Sequence, residues 1–272
     1  MCHDGRMSDE HDDTMHTRLA QTHLDPRAIE EKRQEVDSLK DRFVEIIGHQ
    51  LRTPLSVMRW NLESLLAQEF GPVSETVQDV LKVTYGQNLE AISRVSDVVT
   101  MLDMEEGRSM KFSRMVVELD GLSGELIPEW RQECELKHVA CAFHLPKEPL
   151  PSFIGDADKI KMAMQHLFRN ALWYTQPGGT ITVTLDRIEG AVRCTVKDTG
   201  IGMAAIDQPH VFERFFRAAN AITMKTDAFG IGLYVSKYYI EQHGGTLKFE
   251  SREGEGSTFW FELPINTTEG QA

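Results

Sequence analysis

From Phe43 onward, apolar residues recur at helical spacing: Phe43, Ile47, Leu51, Pro54, Met58, Leu62 and Leu65. At about 100° per residue they share one stripe of a helix. His49 falls on the opposite side with Glu45, Thr53 and Ser56, so it is expected to face solvent. Gly71-Pro72 ends this helix, and Ser74 is placed to cap the next one. The second helix turns Val77, Val80, Leu81, Leu89, Ile92, Val95, Val99 and Leu102 inward. A pair of antiparallel helices with one apolar stripe each buries little. Two such pairs make a four-helix bundle, so homodimerisation is the expected way to complete the core.

On either side the texture differs. Residues 1–27 are polar and acidic, and His3, His11, His16 and His23 match no ligand spacing, so a disordered leader is expected. "AIEEKRQEVDSLKDRF" (28–43) carries opposite charges three and four apart, as an exposed or coiled-coil helix does. After Glu106-Gly107, short β-like runs appear: "RMVVEL", "GTITVTL", "GAVRCTVKD" and "GGTLKFESREGEGSTFWFELP". They alternate with helical stretches at 120–137, 158–173 and 231–243. The pattern predicts an α+β layer with a mixed sheet and helices on one face. The expected division is a leader at 1–27, a helical domain at 28–107, an α+β domain at 108–265 and a disordered tail at 266–272.

Charge narrows the partners. A formal net charge of -13 opposes binding to a phosphate backbone, so nucleic acid is not expected as a partner. Cys2, Cys134, Cys141 and Cys194 form no CxxC pair and no zinc spacing, which predicts reduced thiols in a cytoplasmic compartment. No apolar run reaches the roughly 20 residues of a membrane span, and no signal peptide is visible. A cytoplasmic location is expected, either free or as the cytoplasmic part of a membrane-anchored receptor.

Four stretches carry candidate chemistry. "HLFRNALWYT" (166–175) presents Asn170 near the end of a helix, and "VKDTGIGM" (196–203) is a strand ending in an aspartate and a glycine-bounded turn. "VFERFFRA" (211–218) is aromatic and basic, and "AFGIGLYVSKYYIEQHGG" (228–245) is a glycine loop running into a helix, a place that favours phosphate. Together and in this order they resemble the N, G1, F and G2 boxes of the sensor histidine kinases of two-component systems, with His49 in the H box. The likeness covers roughly residues 30–264.

The resemblance implies a helical hairpin that dimerises into a four-helix bundle, followed by an α/β sandwich of the Bergerat (GHKL) type that binds ATP. It implies that His49 receives the γ-phosphoryl group of ATP and passes it to an aspartate on a response regulator receiver domain. An upstream sensor domain or protein is implied as well. A neutral imidazole is a good nucleophile near neutral pH, and Pro54 lets the helix bend beside it. By the same resemblance Asp198 accepts a hydrogen bond from the adenine amino group, with Gly200 and Gly202 close to the base. Asn170 is the Mg²⁺ ligand and Tyr174 borders the site. Arg217, Gly230, Gly232 and Leu233 meet the phosphates, and residues 218–229 form a lid that orders with nucleotide. Thr53, one turn beyond His49, is placed to position water for dephosphorylating the regulator.

The chain departs from the family pattern at Gln50, often acidic in the family, at His166, often asparagine, and at Trp173, often a phosphate-facing lysine. Ala228 also replaces a glycine. Gln50 can orient an imidazole but cannot act as a base. The alternative to an active kinase is therefore a degenerate one that serves as a dimeric nucleotide- or regulator-binding scaffold.

Overall fold

The computed structural model describes residues 50–105, 110–225 and 228–265. The leader, the charged stretch at 28–43, His49 and the tail at 266–272 lie outside them. By its contacts the chain divides into Met1–Leu51 and Arg52–Ala272. Of the first unit, only Gln50 and Leu51 are described; both are helical and exposed.

The second unit opens with helix α1 (residues 52–66), which continues through Pro54. Its end is a turn with Gln68 and Gly71 at positive φ. Helix α2 (Glu75–Glu105) follows, and the Val77 N–H donates to Ser74 Oγ at 3.4 Å, as expected of a serine cap. Tyr85 ties the two helices together by donating to Glu63 Oε1 at 2.8 Å. Stripe residues near the turn stay uncovered within one chain: Met58 is 54% exposed and Val80 61%. Further along α2, Met101 and Leu102 are buried.

The α+β part runs β1 (Met115–Val117), α3 (Leu119–Lys137), β2 (Ala140–His144), β3 (Phe153–Gly155), α4 (Ala157–Tyr174), β4 (Thr180–Ile188), β5 (Ala191–Asp198), α5 (Ala219–Met224), α6 (Gly232–Gln242), β6 (Thr246–Arg252) and β7 (Gly256–Pro264). Five strands form one mixed sheet in the order β2-β4-β5-β7-β6, parallel only between β2 and β4. β1 and β3 pair separately. Alternation along β4 and β5 sends Ile181, Val183, Leu185, Val192, Cys194 and Val196 into the core. There they meet α3 and α4, whose Trp130 and Phe168 stack at 4.4 Å between centroids. The predicted α+β class with helices over a mixed sheet is the observed one.

The cysteine expectation is corrected. Cys134 and Cys141 are joined as a disulfide, and only Cys194 is a free, buried thiol among the described cysteines. The cause is a tight reversal. His138 at φ 57° closes α3 in the left-handed region and turns the chain straight into β2. This brings the two Cα atoms to 6.3 Å, within disulfide reach. The stretch expected to be a lid also differs from an irregular loop, because it contains the short helix α5 with Ala221 buried.

Candidate functional site

Helix α4 starts on a built cap. Asp156 Oδ1 accepts from the Lys159 N–H at 3.1 Å. At the other end, Lys137 Nζ donates to the carbonyls of Leu172 and Trp173, satisfying groups that a helix C-terminus leaves open. A helix fixed at both ends presents His166, Asn170, Trp173 and Tyr174 to one pocket. Asp198, Gly202, Arg217, Gly230, Gly232 and Leu233 line the same pocket. Of the site residues expected from sequence, all on the α+β part except Gly200 meet there.

Asp198 ends β5 and is 5% exposed. Its Oδ1 accepts from the N–H groups of Gly200 at 2.8 Å and Ser257 at 3.1 Å. Burial pushes its carboxyl up to about 6, and the two hydrogen bonds pull the other way. Gly200 acts from behind: a Cβ there would lie 2.3 Å from the Tyr174 carbonyl. Gly202, at φ +59°, would put a Cβ 1.8 Å from the Arg252 carbonyl oxygen. Only glycine satisfies both constraints.

The lid side is held by Arg217, whose Nη2 donates to the carbonyls of Ala221, at 3.3 Å, and Lys225. Helix α6 begins at Gly232 with no side-chain cap. Open N–H groups in a first turn are an anion-binding feature. Asn220 Oδ1 is buried without a hydrogen-bond partner among the described residues.

Missing from the sequence-based expectation is the wall that α2 contributes: Glu90, Ser93, Arg94 and Asp97 all line the pocket. His166 is not an idle replacement. Ser236 Oγ donates to the Gly232 carbonyl at 2.8 Å, so it accepts from His166 Nδ1–H at 2.9 Å. The other ring nitrogen, Nε2, lies 3.1 Å from Asp97 Oδ1, with both side chains about nine-tenths buried. A second buried contact joins Thr100 and Tyr239 at 2.9 Å between oxygens. No local signal could have found these pairs, since they link residues far apart in sequence.

Known proteins fit this geometry. Residues 39–107 match the family described as His Kinase A (phospho-acceptor) domain. Residues 155–267 match the one described as Histidine kinase-, DNA gyrase B-, and HSP90-like ATPase. The chain belongs to the sensor histidine kinase family. Among curated kinases, it is 32% identical over 235 residues to the sensor histidine kinase WalK of Bacillus subtilis (strain 168), covering 86% of this chain and 38% of WalK. It is 30% identical over 232 residues to the sensor protein SrrB of Staphylococcus aureus (strain N315), covering 84% and 39%. The chain thus spans less than two fifths of the length of these kinases.

Solved kinase structures share the fold. Full-length ShkA, crystallised with AMPPNP, aligns with a TM-score of 0.58 at 24% identity, over 84% of this chain and 47% of that one. The Acinetobacter baumannii histidine kinase AdeS aligns at 0.52 and 19%, over 80% and 98%. Against this family His49 is the expected phospho-acceptor, and it lies outside the described residues. Gln50 and Thr53 are both exposed. Among the described residues no helix is long and apolar enough to cross a membrane.

Proposed function

We propose that the chain is an ATP-dependent protein-histidine kinase that phosphorylates His49 and transfers the phosphoryl group to an aspartate of a response regulator, with phosphatase activity toward that regulator. One observation carries the reading: a buried aspartate, anchored through a single oxygen by two backbone N–H groups, in a pocket that also holds Asn170 and an uncapped helix start. The anchoring leaves Asp198 Oδ2 to accept from an adenine amino group. The first-turn N–H groups of α6 and the nearby arginines would meet the phosphates. Asn170 offers a hard oxygen suited to Mg²⁺ on those phosphates. Bound Mg²⁺ supplies neutralisation of phosphate charge.

A ring nitrogen of His49 then attacks the γ-phosphorus, the bond to the bridging oxygen breaks and ADP leaves. The proton on the other ring nitrogen goes to solvent, because Gln50 is no base. Timed incubation with labelled ATP tests this. Gln50→Glu should raise the autokinase rate about tenfold or less, since a loose phosphoryl transition state gains little from a base. Thr53→Ala should slow dephosphorylation of the cognate regulator and leave His49 labelling nearly intact. Equal loss of both activities would reduce Thr53 to a helix-supporting residue.

Residues 28–107 serve as the signalling, dimerisation and phosphotransfer part, and residues 108–265 serve as the ATP-binding domain. The supporting observation is the uncovered stripe at Met58 and Val80. The 272-residue chain should sediment as a dimer. A Met58→Glu/Val80→Glu variant, which buries two charges in the bundle, should be monomeric at micromolar concentration. A variant that stays dimeric would place the interface elsewhere.

A further inference from the structure

The pocket has a tryptophan where this family often carries a phosphate-facing lysine, yet a lysine stands over it. Lys225, just past α5, places Nζ 5.0 Å from the centroid of the Trp173 ring. At that range the ring face attracts the ammonium and fixes its position. The same ammonium lies 3.4 Å from Glu90 Oε1 on α2. Arg94 donates to that same oxygen at 2.6 Å. All three side chains are only about a quarter exposed: 23% for Lys225, 25% for Arg94 and 26% for Glu90. Glu90, Arg94 and Trp173 line the pocket itself.

One oxygen gripped by a guanidinium and an ammonium is the arrangement those cations also offer a phosphate oxygen. We propose that Arg94 and Lys225 supply the phosphate-binding charge that position 173 lacks, and that Glu90 occupies this cation pair until a nucleoside triphosphate displaces it. The proposal rests on the reading of the pocket as an ATP site. It makes α2 a participant in nucleotide loading, because a shift of α2 that withdraws Glu90 lets Lys225 turn to the phosphates. Trp173 then serves as the platform that holds the replacement cation.

Equilibrium titrations of the full chain with ATP and with adenosine test this. Glu90→Gln, which keeps the shape and removes the charge, should tighten ATP about fivefold and leave adenosine unchanged. Lys225→Gln should weaken ATP about tenfold, again with adenosine unchanged. In the Lys225→Gln background, Glu90→Gln should have a smaller effect than alone, because the two act through one contact. Thermal melts of each variant report folding. ATP affinity that Glu90→Gln leaves unchanged overturns the displacement. A change shared equally by ATP and adenosine overturns it too, since that is a general loosening of the wall. Wild-type chain that binds neither ligand refutes the ATP site itself.

Discussion

Asp198→Asn should lower ATP affinity about thirtyfold, the equivalent of about 2 kcal/mol. The structure dictates which way the new amide points. The N–H groups of Gly200 and Ser257 both demand an acceptor at the Oδ1 position. The amide oxygen must stay there, so its NH₂ faces the adenine amino group, donor against donor. A buried donor without an acceptor incurs its full desolvation cost. The pH dependence gives a second reading of the same contact. Burial raises the carboxyl to about 6, so it is ionised at pH 7 and protonates as the pH falls through 6. The folded state therefore holds this proton between about pH 4 and 6, where the unfolded chain has already released it. Stability contributed by the protonated form is full below the unfolded value and is lost as pH rises through 6. Nucleotide affinity should run the opposite way, weakening below pH 6 in the wild type and staying flat in Asp198→Asn. Titrations at pH 7.5 and 5.5 check both; superimposable isotherms for the two proteins would remove the adenine assignment.

Gly202→Ala should destabilise the α+β part by about 3 kcal/mol or more. A left-handed backbone alone costs a non-glycine residue about 1–2 kcal/mol. In addition, the new methyl would sit 1.8 Å from the Arg252 carbonyl oxygen, so backbone must move. The melting midpoint should fall by roughly 6–12 °C. Gly190→Ala separates the two causes, because Gly190 has φ +70° with nothing within 4 Å of the added atom. It should lose only the conformational part, about 1–2 kcal/mol. Equal losses at the two positions would mean that the close approach at Gly202 relaxes without cost.

What the sequence revealed follows the range of each interaction. The α1 and α2 stripes, the Ser74 cap and the β5–Gly202 turn were legible because periodicity, capping and glycine turns are local signals. The strands β2 and β3 escaped because "ACAFH" and "FIG" are too short to show a period. The Cys134–Cys141 bond escaped because its spacing has meaning only once His138 turns the chain. His166 looked like a loss of function when read in line, and the fold gives it Ser236 as a hydrogen-bond partner and sets its other nitrogen beside Asp97. The α2 wall of the pocket was invisible for the same reason: Glu90 and Arg94 belong to the site through packing alone.

Whether this pocket feeds a phosphoryl group to His49 is decided by incubating the full chain with Mg²⁺ and γ-labelled ATP, then treating the labelled protein with acid and with base. The expected label is one that acid removes and base spares, found on His49 and absent from His49→Ala. Nucleotide binding with no such label would contradict phosphoryl transfer, and would leave a dimeric scaffold that holds nucleotide without passing on its phosphate.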